Sequence, residues 1–137
     1  MIDASVAAQW YLPEPNTEFA LRLLQRENVD LIAPSIMVAE MANVAWKAFM
    51  SRAMTEQQAV DMLDRFRSAP VRLVPTEELV EYALDLAVRH RHAVYDCLYL
   101  ALALREDCFF VTADREFYGR VSPGLPNNVV WVEDIPA

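Results

Sequence analysis

Glycine is almost missing from this chain: Gly119 and Gly124 are its only two in 137 residues, and both come late. No Gly-rich phosphate loop of the P-loop or dinucleotide type can therefore be written. No G-x-S-x-G elbow exists to present a nucleophilic serine. Cysteine and histidine are as scarce, with Cys97, Cys108, His90 and His92 the whole supply. Their placement offers no structural zinc site. The cysteines lie in apolar stretches, so buried free thiols are expected rather than a disulfide. Lysine is reduced to Lys47, and every other basic residue is arginine. Arginine suits bidentate contact with phosphate or carboxylate, although a coding bias gives the same pattern. No apolar run approaches the roughly 18 residues of a membrane span. Met1-Ile2-Asp3 shows neither the basic segment nor the apolar stretch of a signal peptide. A soluble, cytoplasmic protein without membrane contact is expected.

What is present is apolar and acidic. Hydrophobic residues make up 55% of the chain, enough for one core, and a single domain over residues 1–137 is expected. The formal net charge is −8. Taken alone this speaks against nucleic acid, which asks for a basic surface. A cluster of site carboxylates gives another account, because bound divalent cations invert the local field.

Strand and helix signals alternate along the chain. Met1-Ile2 reads as a strand stub ending at Asp3, followed by a helix from Ser5 to Leu12 that Pro13 stops. Asn16 is placed to cap a helix carrying Phe19, Leu23 and Leu24. Val29 to Ala33 reads as a strand ended by Pro34, and Ser35 as the cap of a helix reaching about Arg52. Thr55-Glu56-Gln57-Gln58 fits a capping box, opening a helix with Ala59, Leu63 and Phe66 on one face that ends near Pro70. Val71 to Val74 reads as a strand. Thr76 starts a helix with Leu79, Ala83, Leu86 and Ala87 at helical spacing. The run Arg89-His90-Arg91-His92 is expected to end it, where positive charge complements the dipole. A further helix runs from about Val94 to Glu106, a strand from Cys108 to Thr112, a helical turn from Arg115 to Tyr118 and a last strand from Val129 to Val132. This alternation predicts a mainly parallel sheet covered on both faces. Ligands bind such sheets at the carboxyl ends of the strands.

Four acids fall in that crevice. Asp3 ends the first strand, Glu40 lies in the helix after the second, Asp96 opens an apolar helix, and Asp114 follows the strand ending in Thr112. Singly, each has an ordinary explanation. Asp3 and Asp114 could be turn residues or caps, and Asp96 is favourable at a helix N-terminus anyway. Glu40 could be solvated or locally paired, since it borders a polar row with Asn43 and Lys47. Yet the helix Cys97-Leu98-Tyr99-Leu100-Ala101-Leu102-Ala103-Leu104 is apolar on all sides and should be buried. That leaves Asp96 at the edge of the core, where an unpaired charge is costly. As a set the four repel, which raises one or more pKa values and favours a divalent cation. Oxygen-only ligands suit Mg²⁺ or Mn²⁺, and such ions serve phosphodiester hydrolysis without a covalent nucleophile.

These residues resemble the PIN-domain ribonucleases, specifically the VapC-type toxins of prokaryotic toxin–antitoxin pairs. The likeness spans nearly the whole chain. It rests on Asp3-Ala4-Ser5-Val6, on Glu40 with Asn43, on Tyr95-Asp96-Cys97-Leu98-Tyr99-Leu100-Ala101-Leu102-Ala103, and on Val111-Thr112-Ala113-Asp114. The resemblance implies a PIN-like three-layer α/β/α sandwich that cuts RNA with Mg²⁺ or Mn²⁺. It implies an acidic site of Asp3, Glu40, Asp96 and Asp114, with Asp3 and Asp96 foremost as direct metal ligands. Ser5 and Thr112 match supporting, hydrogen-bonding positions, and Asn43 one that orients Glu40 or contacts the scissile region. A homodimer and a cognate antitoxin covering the site are implied as well. The sequence departs from the family in its short first strand, with only Met1 and Ile2 before Asp3.

Other readings compete. A phosphatase of the haloacid-dehalogenase type needs a second Asp two residues after the first, where this chain has Ser5. A receiver domain wants adjacent early acids and a late lysine, a place Lys47 cannot fill. A catalytically inactive PIN-like module that binds RNA or protein is the alternative without an enzymatic step.

Overall fold

The fold is described from a computed structural model, over residues 1–135. The helices are α1 (Ala4–Ala8), α2 (Thr17–Leu24), α3 (Met37–Met50), α4 (Glu56–Arg67), α5 (Val80–His90), α6 (Val94–Arg105) and α7 (Arg115–Val121). The strands are β1 (Leu31–Pro34), β2 (Val71–Val74), β3 (Phe110–Thr112) and β4 (Val129–Trp131), with 3-10 turns over Thr76–Leu79 and Val132–Asp134. Parallel β1 and β2 pair from Leu31 opposite Val71 to Pro34 opposite Val74. Parallel β3 and β4 pair from Phe110 opposite Val129 to Thr112 opposite Trp131.

The N-terminal stub joins the two pairs. The Ile2 N–H donates to the Ile32 carbonyl at 3.3 Å, and the Val111 N–H donates to the Met1 carbonyl at 2.9 Å. The strand order is thus β2, β1, stub, β3, β4, all parallel. The stub's pairing is a single bridge, Ile2 with Val111, and Pro34 accounts for the missing rung toward β1. In a parallel ladder the rung after Ile2 N–H to Ile32 would run from the N–H of residue 34 to the Ile2 carbonyl. Proline has no N–H to give.

Burial of the strands shows three layers. Successive strand residues point to opposite faces, yet Leu31, Ile32, Ala33 and Pro34 are all buried, as are Phe110, Val111 and Thr112. Both faces of the sheet are therefore covered, as parallel sheets require. β2, at an edge, is largely exposed at Arg72 and Leu73. Helix α6 is the most enclosed element, buried without a break from Cys97 to Ala103 and packed against β1, β3 and α5. Its apolar circumference is why it can occupy that place.

Several boundaries differ from the sequence expectations, each for a local reason. The first helix is Ala4–Ala8, and residues 9–11 continue as tighter turns bonded three residues back. The Trp10 indole N–H donates to the Ala20 carbonyl at 2.9 Å, which pins this turn onto α2. Asn16 makes no side-chain cap, and Thr17 orders the turn instead, accepting from the Glu14 N–H at 2.8 Å. Strand β1 begins at Leu31 and includes Pro34, and β3 begins at Phe110 rather than Cys108. Ser35 does not cap α3. Its hydroxyl accepts from the Thr76 N–H, while the Thr76 hydroxyl accepts from the Ile36 N–H at 2.8 Å, so the two strand ends of β1 and β2 clasp each other. The capping box at Thr55 and Gln58 is present as expected. Only His90 of the two histidines ends α5; Arg91 turns into the left-handed region with φ 53°, and His92 leaves the helix altogether.

Candidate active site

Asp3 stands where the stub ends and α1 begins. Its Oδ1 accepts from the Val6 N–H at 3.1 Å, the ordinary N-cap bond, and also from the Ser5 hydroxyl at 2.5 Å. Its Oδ2 accepts from the Thr112 hydroxyl at 2.5 Å. Ser5 in turn accepts from the Ala113 N–H at 3.0 Å, and the Thr112 hydroxyl accepts from the Asp114 N–H at 3.0 Å. Asp3 is thus bound to the end of β3 by two hydroxyl relays. Burial pushes its carboxyl up to about 6; the bonds from Ser5, Thr112 and Val6 restrain that rise, and the charge of Asp114 adds to it. Asp114 caps α7, accepting from the Phe117 N–H at 3.0 Å.

Glu40 and Asp96 come from opposite helices. Glu40 lies in the first turn of α3, Asp96 in the first turn of α6. Both line a cleft of about 670 Å³ together with Ser5, Asn43, Lys47 and Gln9. Burial pushes the Glu40 carboxyl up to about 7, with the Asp96 charge next and the Asp3 charge adding to it. Against these acts the Tyr99 hydroxyl, although its oxygen completes no well-formed hydrogen bond among the described residues. Tyr99 itself is driven strongly upward, by burial first and then by the charges of Glu40, Asp3 and Asp96. One buried phenol therefore feels three carboxylates that lie 93 residues apart in sequence at their extremes, Asp3 and Asp96.

Of the residues singled out from the sequence, Asp3, Ser5, Thr112 and Asp114 form one hydrogen-bonded group. Glu40 and Asp96 both line the cleft and interact by charge, whereas Asp3 and Asp114 lie behind Ser5 and Ala113 and are not among its lining residues. Asn43 lines the cleft one turn beyond Glu40, and no hydrogen bond joins the two among the described residues. Two participants escaped the sequence reading. The His92 Nε2 lies 2.7 Å from Asp96 Oδ2. Tyr99 was read only as core, although its spacing of three from Asp96 on an α-helix puts the two on one face.

A cation was implied by the sequence, and the donor set tests the fit. Among the described residues no three His, Cys, Asp or Glu side chains close around one point. Asp3 has most of its lone pairs engaged by three protein donors. The donors available are nonetheless all oxygens, and the carboxyls of Asp3 and Glu40 are raised first by burial and further by neighbouring acid charge. Mg²⁺ keeps several of its waters and is commonly held by only one or two carboxylates, so the residues fit such an ion without forming a closed cage.

The likeness to known proteins agrees with this architecture. The PIN domain family matches residues 1–120. "Ribonuclease VapC3" of Pyrobaculum aerophilum is 31% identical over 120 residues, covering 85% of this chain and 89% of that protein. "Ribonuclease VapC1" of Mycobacterium tuberculosis is 30% identical over 133 residues, covering 96% of each. With a family match across most of its length and relatives of this kind along nearly all of it, the chain belongs to the PIN domain family, in its VapC-type branch.

Proposed function

We propose that the protein is an endoribonuclease, the toxin member of a toxin–antitoxin pair, which hydrolyses RNA phosphodiesters with Mg²⁺ or Mn²⁺ at the acidic set of Asp3, Glu40, Asp96 and Asp114, one or two of which would bind the ion directly. The observation that carries this reading is the hydrogen-bonded set of Asp3, Ser5, Thr112 and Asp114 at the ends of the stub and β3, beside a cleft lined by Ser5, Glu40 and Asp96. So much like charge in one partly dry place is unfavourable without a cation, and ligands of parallel sheets bind at that end.

When bound, the divalent ion supplies an activated water and a Lewis acid toward phosphoryl oxygen. The chain supplies the rest. Asp3 is the rigid anchor, held by Ser5, Val6 and Thr112. In the metal-free protein burial holds the Glu40 carboxyl up to about 7, so binding of the ion near neutral pH would displace its proton. Lys47, exposed on the same helix and lining the cleft, offers the phosphodiester a cation. Asn43 between them offers hydrogen bonds to the scissile region.

The partners in this reading are RNA, an antitoxin and a second copy of the chain, in the cytoplasm. A basic antitoxin segment suits the acidic cleft of a protein whose net charge is −8. Trp46, Phe49 and Met50 are exposed at 55%, 42% and 61% on one helix, an apolar patch that would suit a second copy of the chain. Light scattering at high concentration tests the dimer, and a strictly monomeric species would exclude it.

The decisive experiment is cleavage of single-stranded and structured RNA with Mg²⁺, with Mn²⁺ and with EDTA. Cleavage should require the ion and stop with the chelator, and undiminished cleavage in EDTA would refute the mechanism. The unclosed ligand set favours one alternative, an inactive module that binds RNA or protein. RNA binding without cleavage under every metal condition would establish it.

A further inference from the structure

His92 is the residue that neither the sequence pattern nor the proposed carboxylate set uses. Its place is built by several independent features. Helix α5 stops at His90, and Arg91 takes the left-handed conformation, φ 53° and ψ 46°. The His92 N–H then donates back to the Ala87 carbonyl at 3.1 Å, and the Arg120 guanidinium donates to the Arg91 carbonyl at 2.6 Å. This turn drives the imidazole inward, where it meets the Phe117 ring edge-on with centroids 4.9 Å apart. The His92 side chain is only 11% exposed, against 40% for Asp96. Its Nε2 sits 2.7 Å from Asp96 Oδ2.

We infer that His92 is a positioning residue for the cation-binding carboxylate of Asp96, holding Oδ2 so that Oδ1 is presented to the cleft. This inference rests on the metal-dependent site proposed above. A carboxylate only accepts, so at this distance Nε2 must be the donor whether or not the ring carries a second proton. The role therefore does not depend on a change of charge. Asp96 needs such a partner more than Asp3 does. Among the described residues Asp3 is gripped by three donors, whereas Asp96 stands half-open at a helix start with one. A free carboxylate at that place samples rotamers, and each is an entropic cost to ion binding. Partners of this outer kind orient ligands in metal sites generally, and their loss weakens the site. Phe117 completes the device: it fixes the ring plane, and Phe117 belongs to the helix that Asp114 caps. The two halves of the site are thereby registered through one aromatic contact.

The test compares three substitutions by Mn²⁺ affinity, measured by calorimetry and by Mn²⁺ paramagnetic resonance, alongside thermal melts. The amide of His92→Gln can reach the Nε2 position, whereas the amide of His92→Asn falls short of it. Both are polar and similar in their demands on the fold, so their contrast isolates the hydrogen bond. His92→Leu keeps an apolar contact with Phe117 and offers no donor. His92→Asn and His92→Leu should weaken Mn²⁺ binding by about 10- to 100-fold, with His92→Gln within about threefold of wild type. RNA cleavage at limiting Mn²⁺ should follow the same order and converge at saturating Mn²⁺. Equal affinity for the Gln and Asn variants would overturn the positioning role, and so would wild-type affinity in the Leu variant. Both results would leave the metal site itself standing. A wild-type protein that binds no Mn²⁺ would overturn the site and this inference together.

Discussion

The two sides of the cleft are built on different principles. On the strand side, Asp3 is buried and bonded to Ser5, Val6 and Thr112, and through them to the end of β3. On the helix side, Glu40 and Asp96 reach in from the first turns of α3 and α6, half-buried, with few partners. The strand side is thus tied to the sheet, because Thr112 is a rung of β3 and Ser5 accepts from the Ala113 N–H just beyond it. On the helix side, among the described residues, the hydrogen bond that holds a carboxylate is that of His92 to Asp96. The first is expected to resist perturbation as a unit, and the second to respond to charge, metal and pH.

The contrast can be broken most forcefully at Asp96. Asp96→Asn should reduce metal-dependent RNA cleavage by about 100-fold or more, the order seen when one group that stabilises charge is removed from an active site. The protein should nonetheless stay folded, since the asparagine keeps a hydrogen-bond acceptor at the helix start. Single-turnover cleavage with a parallel melt checks both, and retained cleavage would remove Asp96 from the site. The strand side should behave in the reverse way. Thr112→Val deletes the donor to Asp3 and the acceptor for the Asp114 N–H while keeping the shape. A loss of about 2 to 3 kcal/mol in unfolding free energy is expected, typical of a buried bond to a charged group. Denaturant titration measures it, and a change under about 0.5 kcal/mol, the range of surface substitutions, would show the relay to be unimportant.

Charge relief should appear at Glu40. In EDTA near pH 8, Glu40→Gln should stabilise the protein by about 1 kcal/mol, by removing a carboxylate that is crowded by Asp96 and Asp3. Burial, with neighbouring acid charge added to it, also sets a pH dependence. Asp3 and Glu40 have folded pKa values of about 6 and about 7, above the usual carboxylate range. Groups raised in this way contribute stability that is complete below about pH 4, their unfolded range, and is lost as pH rises through 6 and then 7. The metal-free protein should therefore melt lower at pH 8 than at pH 5.5, and saturating Mg²⁺ should shrink that difference. A melting temperature that rises steadily from pH 5.5 to 8 in EDTA would contradict these raised values.

The smallest expected effect concerns the turn that delivers His92. Arg91 holds a left-handed conformation that costs a residue with a side chain about 1 kcal/mol. Arg91→Gly should stabilise the fold by up to that amount and leave the His92–Asp96 contact intact, because the Arg91 carbonyl bonded by Arg120 is backbone. Melts together with Mn²⁺ affinity check it. A fall in affinity would show that the Arg91 side chain, and not only its backbone, sets the histidine.

Much of this molecule was legible along the chain. The apolar circumference of Cys97 to Ala103 announced a fully enclosed helix, and the strands Val71–Val74 and Val129–Trp131 lay where their apolar runs put them. Thr55 and Gln58 announced their cap, because that interaction is complete within four residues. The errors came where distant segments compete for the same group. Ser35 had the pattern of a cap but bonds to Thr76, 41 residues away. Asn16 yielded the turn to Thr17. Pro34 has the pattern of a strand terminator yet lies within β1, because its missing N–H faces the stub, where the neighbouring chain turns into α1 after Asp3.

The candidate site divides along the same line. The order and spacing of Asp3, Glu40, Asp96 and Asp114, each at the start or end of an element, follow from local pattern and were determined by the sequence alone, as was the parallel α/β arrangement. How they are held was decided only by tertiary structure. The grip of Thr112 on Asp3 and the approach of Asp3 and Glu40 to Tyr99 join side chains whose elements meet only when the sheet closes, while the contact of His92 with Asp96, only four residues away, depends on the left-handed turn at Arg91 and on Phe117 of another helix. Periodicity reports which face of an element is buried, but a hydrogen bond is directional and short. It is settled by distances of a few tenths of an ångström that no single segment contains.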